Sequence, residues 1–474
     1  MKNKITGKHL IKIGYSQSEA LGQALDIANS KFKNQSKPEV LRILKKLRLY
    51  PENFLDDEVL GKLAKQFSEE AAVPKSSGII QLKKSSDYQI YGAEHIEAGA
   101  RDQMDVAMQL PVTVAGALMP DAHQGYGLPI GGVLATNNAV IPYGVGVDIG
   151  CRMALTVYDI PVDYFLSNQA KFKREIAAHT KFGAGKSFDG NARSDHDIMH
   201  NPNFNLVPFI KKLKDKAWAQ LGTSGGGNHF VEFGIMDFAE EDAELDIKKG
   251  SYVALLTHSG SRGLGATIAG QYTKIAKAIT RLPKEAINLA YLDLSSQAGQ
   301  EYWMAMNLAG DYASACHEVI HDKIGRAIGG QILAKVENHH NFAWKEQFDG
   351  KEVIVHRKGA TPAGKGVMGI IPGSMTAPGF LVRGKGEVSS LNSASHGAGR
   401  QMSRTQAIKN ISSAEMKKVL SDHGVSLMGA GRDEAPMAYK DIELVMAAQT
   451  DLVDVVAKFT PKIVRMADDG SRED

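Results

Sequence analysis

Cysteine is almost missing from this chain: Cys151 and Cys316 are the only two in 474 residues. Two thiols cannot build the bridged framework of a disulfide-stapled secreted protein, so a reducing, cytoplasmic setting is expected. No apolar run approaches the roughly 18 residues that a membrane span needs. The basic N-terminus, Met1-Lys-Asn-Lys-Ile-Thr-Gly-Lys8, is not followed by the apolar segment and small-residue cleavage site of a secretory leader. No long repeat appears, nor the regular alternation of strand and helix that builds a doubly wound sheet.

What is present is ordinary in bulk, with 43% hydrophobic and 23% charged residues, and long enough for two or three domains. The net charge of +3 is unevenly spread: residues 1–50 hold eleven Lys and Arg against Glu19, Asp26 and Glu39, a surplus of +8 that the rest of the chain offsets. Within that segment Val40, Leu41, Ile43, Leu44 and Leu47 make a helical stripe with a basic opposite face. That face reads either as a solvated surface or as a contact for a polyanion such as RNA. From about Tyr91 the texture changes. Short β-prone runs at 112–119, 139–142, 252–257 and 353–356 end in Gly-, Pro- and Ser-rich loops, and helical patterns cover 211–221, 265–280, 296–326 and 441–458. The expectation is an α+β fold: a single large mixed domain over 86–467, a small basic helical extension over 1–85, and a disordered tail at 468–474.

Chemistry concentrates in glycine-rich loops. Leu221-Gly-Thr-Ser-Gly-Gly-Gly-Asn-His-Phe230 sets three glycines against an Asn-His pair, and Ser395-His-Gly-Ala-Gly-Arg400 puts a histidine at the head of a small-residue loop. Glycines let backbone N–H groups approach an anion, and a histidine there serves as metal ligand or nucleophile. Both point to phosphoryl or nucleotidyl chemistry. Asp148 and Cys151, three apart in Gly144-Val-Gly-Val-Asp-Ile-Gly-Cys151, can share one tight turn. With histidines at 229, 258 and 339–340 they offer a donor set for one or two transition metals, thiolate and imidazole favouring Zn, Mn, Co or Fe over Mg. Any one of these histidines alone reads first as an ordinary hydrogen-bonding residue; it is the three together that point to a metal.

Pro120-Asp-Ala-His-Gln-Gly-Tyr-Gly127, Gly146-Val-Asp-Ile-Gly-Cys151, Gly225-Gly-Gly-Asn-His229, His258-Ser-Gly-Ser-Arg-Gly263, His340-Asn341, His356-Arg-Lys-Gly-Ala-Thr361, Pro372-Gly-Ser-Met375 and Ser395-His-Gly-Ala-Gly-Arg400 fall in one order. Over roughly residues 90–460 the chain resembles the RtcB-type RNA ligases. The resemblance implies a two-Mn²⁺ site on Asp148, Cys151, His229, His258 and His340, with the thiolate shared. It implies that His396 takes a guanylate from GTP and passes it to an RNA 3′-phosphate, after which a 5′-hydroxyl displaces GMP. A 2′,3′-cyclic phosphate is first hydrolysed. GTP is expected to touch Asn228, His229, Phe230, Val231, Glu232, His340, Asn341, Pro372, Gly373, Ser374, Met375, His396, Gly397, Ala398, Gly399 and Tyr439, with Glu232 on the guanine edge. Arg262 and Arg400 are candidates for bidentate phosphate contacts or for structural ion pairs. The resemblance also implies RNA ends as substrate and an archease-type activator as partner.

The chain departs from the family pattern in places. Gly379 stands where a nucleotide-contacting serine is usual, Met466 where a guanine-contacting lysine is usual, and Cys316-His317 where an Asn-Arg pair is common. The first two leave the choice of base open. Two rival readings remain: a metal-dependent RNA cyclic-phosphate phosphodiesterase or RNA-end binder without ligation, and a zinc protease built on His317-Glu-Val-Ile-His321 with Glu337 as third ligand.

Overall fold

A computed structural model describes residues 5–13, 15, 19–72 and 78–468. The chain divides into two compact units, residues 1–78 and 79–474. The first is helical. Helices Gly7–Lys12, Glu19–Ser30, Lys37–Leu49 and Gly61–Ala72 surround their own core of Leu10, Ala24, Leu44, Leu47, Leu63 and Ala64. In Lys37–Leu49 the apolar stripe turns inward at Val40, Leu44 and Leu47, and Arg42, Lys45, Lys46 and Arg48 stay exposed.

The second unit is a mixed helix and sheet domain. One sheet runs, neighbour to neighbour, Met368–Ile371, Gly379–Gly384, Val453–Met466, Phe230–Phe238, Gly250–Ser259, Arg152–Tyr158 and Ile332–His339, each pair antiparallel. A smaller sheet runs Gln89–Ile90, Thr113–Tyr126, Leu128–Thr136, Lys351–Lys358 and Asn341–Phe348. In a strand successive side chains face opposite ways. Accordingly Val253 and Leu255 pack with Ile320, Ile324 and Ile328 of the long helix Gln297–Ile328, while Ala254 and Leu256 join Met153, Leu381 and Phe459 on the other face.

Three expectations change. The 441–458 pattern is not one helix: Ile442–Ala447 is helical, and Val453–Met466 is a strand clamped between Phe230–Phe238 and Gly379–Gly384. Val453, Val455 and Val456 fit helix and strand periods alike, and two waiting strand partners decide the outcome. The 211–221 helix is two short pieces, Pro208–Lys211 and Lys214–Gln220. Residues 79–85 go with the larger unit, where Ile80 N–H donates to Arg281 and Lys83 N–H to Gln109. Of the expected tail, 469–474 lies outside the described residues.

Candidate active site

Four neighbouring strands of the larger sheet deliver side chains that could hold a metal to one end. His229 precedes Phe230–Phe238, His258 is next to last in Gly250–Ser259, Cys151 precedes Arg152–Tyr158, and His340 follows Ile332–His339. The pairings Phe230↔His258, Met153↔His258 and Arg152↔His339 hold these positions level. Asp148 joins through a turn closed by Cys151 N–H to the Asp148 carbonyl.

The donors form two triads, Cys151–His258–His340 and Asp148–Cys151–His229, all buried, with ligand atoms within 4.8 Å of one another in each. Cys151 belongs to both. Its Sγ lies 3.1 Å from His258 Nε2 and 3.4 Å from His229 Nε2; the His258 and His340 Nε2 atoms are 3.1 Å apart, and His229 Nε2 is 3.0 Å from Asp148 Oδ2. Burial first, then the neighbouring imidazoles, push His258 and His340 well below the usual histidine range, so both stay neutral. Burial raises Asp148, but His229 and Arg262 outweigh it and bring the carboxyl down to about 2. Buried carboxylate and imidazole groups crowded around one thiol suit divalent transition ions. His258 Nδ1–H donates to the Asn228 carbonyl at 3.2 Å, which aims the Nε2 lone pair at the centre.

His396 stands beside this cluster, its ring centroid 5.0 Å from that of His340. Its Nδ1 lies 2.6 Å from Asp121 Oδ2, and the same oxygen accepts from the N–H groups of His396 (3.1 Å) and Gly397 (3.3 Å). With Nδ1–H donated to Asp121, the lone pair sits on Nε2, the free edge of a ring left 16% exposed. Burial pushes Asp121 upward, yet His396, Lys440 and His123 hold it below the usual carboxylate range. Lys440 Nζ donates to the Ala122 carbonyl at 2.7 Å and steadies the loop.

Two glycines of the signature loops serve the protein itself. At Gly225 a β-carbon would overlap the Arg262 guanidinium, and at Gly399 it would overlap the Asp121 carbonyl; both have positive φ (+80° and +72°).

A family model described as tRNA-splicing ligase RtcB matches residues 103–467. The RNA-splicing ligase RtcB of Escherichia coli (strain K12) is 34% identical over 396 residues, covering 76% of this chain and 92% of its own. The tRNA-splicing ligases RtcB of Nanoarchaeum equitans and Thermococcus kodakarensis are each 30% identical, covering 76% and 75% of this chain and 90% and 88% of their own. The chain belongs to the RtcB family.

The positions expected from the RtcB resemblance fall into two groups. Phe230, Met375, Tyr439 and Met466 meet in one apolar cluster, with Met466 directly across from Phe230. Glu232, two residues along the strand from Phe230, is buried, and burial raises its carboxyl well above the usual range. Pro372 and Gly397 are adjacent: a β-carbon on Gly397 would lie 3.3 Å from the Pro372 carbonyl oxygen. At Gly379 a β-carbon would meet only ordinary contacts, the nearest 3.4 Å away, so the site has room for the serine usual in RtcB proteins.

Other positions look inward. Val231 turns to the opposite face, among Phe165, Phe172 and Phe233, leaving only its backbone for a ligand. Asn341 Oδ1 accepts from Gly359 N–H at 2.8 Å. Arg262 is fully buried: Nη2 lies 3.0 Å from His229 Nδ1 and 3.7 Å from Asp148, and Nε donates to the Gly260 carbonyl. Its φ of +53° is one an arginine keeps only when its surroundings impose it. These contacts place it beside His229 and Asp148, the structural alternative among its two expected roles. Arg400 packs over the Tyr439 ring, pairs with Glu434 at 3.2 Å and donates to the Asp433 and Met402 carbonyls.

The H-E-x-x-H segment is no metal site. Thr156 O–H donates to His321 Nδ1 (2.7 Å), His321 Nε2–H to Thr257 Oγ1 (2.8 Å), Thr257 O–H to His317 Nδ1 (2.6 Å) and His317 Nε2–H to the Ser259 carbonyl (3.2 Å). Every ring nitrogen is committed, and Glu337 is paired with Arg152 at 2.9 Å. Asp121 is the residue to which sequence reasoning gave no role. It stands inside the Pro120–Gly127 motif, but its partner is 275 residues away.

Proposed function

We propose that this chain is an RNA ligase that joins a 3′-phosphate or 2′,3′-cyclic phosphate end to a 5′-hydroxyl end, in tRNA splicing or RNA repair, with GTP and two Mn²⁺ ions. The observation that carries the reading is the Asp121–His396 pair beside two ligand triads that share Cys151. With Nδ1–H donated to Asp121, His396 Nε2 attacks the α-phosphorus of GTP; an N–P bond forms, the bond to the β-phosphate breaks and pyrophosphate leaves. Asp121 then stabilises the positive charge on the phosphorylated ring, as a carboxylate does for any imidazolium. An RNA 3′-phosphate oxygen takes the guanylate from His396, and the 5′-hydroxyl oxygen attacks the activated 3′-phosphorus and releases GMP. Bound to Asp148, Cys151, His229, His258 and His340, the metal ions would neutralise phosphate charge and lower the pKa of a water that opens a cyclic phosphate.

For the base, Phe230, Met375, Tyr439 and Met466 supply an apolar slot and Glu232 a carboxyl for the guanine N1–H and N2–H₂. An archease-type activator and a cytoplasmic location belong to the same reading. No helix among the described residues is long and apolar enough to cross a membrane. The second reading, a cyclic-phosphate phosphodiesterase or RNA-end binder, draws on Met466 standing opposite Phe230 where a lysine is usual. Incubation with Mn²⁺, GTP and two oligoribonucleotides, one ending in 2′,3′-cyclic phosphate and one starting with 5′-hydroxyl, separates the two. Ligation predicts a joined strand; opening of the cyclic phosphate with no joined strand supports the second reading and rejects the first.

A further inference from the structure

An RNA ligase must hold the strand as well as the reacting phosphate, and one surface beside the site is made for a nucleobase. Tyr126 ends the strand Thr113–Tyr126 with its side chain 69% exposed. Its ring centroid lies 6.5 Å from that of Tyr143, at 54°. Two lysine Nζ atoms flank Tyr143, that of the buried Lys358 at 5.3 Å and that of Lys277 at 5.8 Å from its centroid. The scaffold is fixed from below. Lys358 Nζ donates to the carbonyls of Tyr126 (2.6 Å) and Leu128 (3.0 Å), Lys277 Nζ donates to Asn288 Oδ1 (2.7 Å), and Gly127 packs on the Asn288 backbone.

The backbone ties this surface to the chemistry. Lys358 precedes Gly359, where a β-carbon would lie 3.1 Å from His396 Cε1, and consecutive Cα atoms are about 3.8 Å apart. Tyr143 sits in the short helix Pro142–Val145, four residues before the exposed Val147 and five before the candidate ligand Asp148. The chain therefore joins the aromatic pair directly to the segments that carry the candidate nucleophile's neighbour Gly359 and the candidate ligand Asp148.

We propose that Tyr126 and Tyr143, with Lys277 beside them, are a stacking platform for the terminal nucleobase of a single-stranded RNA end. An exposed aromatic ring offers any base a π-face, and the neighbouring Lys277 attracts the phosphate that follows it. Stacking of this kind reads no sequence, which suits an enzyme that joins ends of varied sequence. The inference rests on the RNA-ligase reading for its ligand, but its test does not require turnover.

The probes are two oligoribonucleotides carrying 2-aminopurine at the terminal position, one at a 3′-phosphate end and one at a 5′-hydroxyl end. Each is titrated into the full chain with Mn²⁺ and without GTP. Stacking predicts quenching of the end that occupies the platform. Tyr126→Ala should abolish that quenching and weaken binding about 5- to 150-fold, the range equivalent to about 1–3 kcal/mol per stacked base. Tyr126→Trp should keep both, and Lys277→Ala should lower the salt dependence of binding by about one phosphate. An unchanged melting temperature in Tyr126→Ala excludes misfolding, since the side chain is exposed. Equal quenching and affinity in wild type and Tyr126→Ala for both ends would overturn the platform, as would failure of wild type to bind either end. Covalent labelling of the wild type by GTP, run alongside, reports separately on the nucleotidyl-transfer reading.

Discussion

At the scale of single residues, the account turns on what holds His396. A lone imidazole divides its proton between two nitrogens; here Asp121 Oδ2 accepts from Nδ1–H at 2.6 Å and leaves the lone pair on Nε2, the atom proposed as nucleophile. Asp121→Asn keeps the shape but loses the charge that fixes this tautomer, so nucleotide transfer to the protein should slow by about 10²- to 10⁴-fold in a single-turnover labelling assay. Unchanged labelling would remove Asp121 from the mechanism. Arg262 acts one layer behind the metal ligands. Removing such an outer partner commonly costs about 10- to 100-fold in metal affinity. Mn²⁺ titration calorimetry on Arg262→Ala should show that loss, whereas a direct phosphate role would lower GTP affinity and leave Mn²⁺ binding intact. The residues of the two triads were legible in sequence because each histidine sits in a polar or glycine-rich loop. The Asp121–His396 pair and the Gly225–Arg262 fit were not, because each joins residues distant in sequence whose side chains meet only in the folded chain.

At the scale of elements, the site is a property of strand ends. Strand spacing near 4.8 Å brings donors from adjacent strands close together, and the long helix Gln297–Ile328 fixes the sheet from behind. The polar relay Thr156–His321–Thr257–His317–Ser259 sits at that contact, directly under His258. Thr257→Val strands one acceptor and one donor in the interior. Urea denaturation should show a loss of about 1–3 kcal/mol, and a neutral outcome would mean that water replaces the hydroxyl. The same elements show where sequence patterns mislead. H-E-x-x-H at helical spacing is a zinc motif only when its lone pairs face an open cleft, and here they face threonines. The 441–458 segment has apolar spacing that suits either period, so its strand state depended on partners that a local pattern does not contain. By contrast, the 265–280 and 296–326 patterns match the helices Arg262–Ile279 and Gln297–Ile328, because long amphipathic stripes carry their own evidence.

At the scale of the whole molecule, the larger unit buries many imidazoles in neutral form, and that sets its pH response. His123 and His356 are lowered by burial from 6.5 to about 4, and His258, His317 and His340 lie well below the usual value. The unfolded chain takes up protons below 6.5 that the folded chain refuses. The stability that these groups contribute is therefore fully present above pH 6.5 and is lost as pH falls through about 4 and below. Thermal melts of the chelator-treated protein should drop steeply across that window; a flat profile would mean that the site opens to water without metal.

The central claim is that His396 carries a nucleotide between GTP and RNA. Incubating the protein with Mn²⁺ and GTP labelled at the α-phosphate, then separating it under denaturing conditions, tests this most directly. The account predicts an acid-labile label on the wild type and none on His396→Ala. An ATP-labelled arm tells whether Glu232 and the Met466 slot still select guanine. Absence of label with either nucleotide, or label that survives in His396→Ala, would contradict the account.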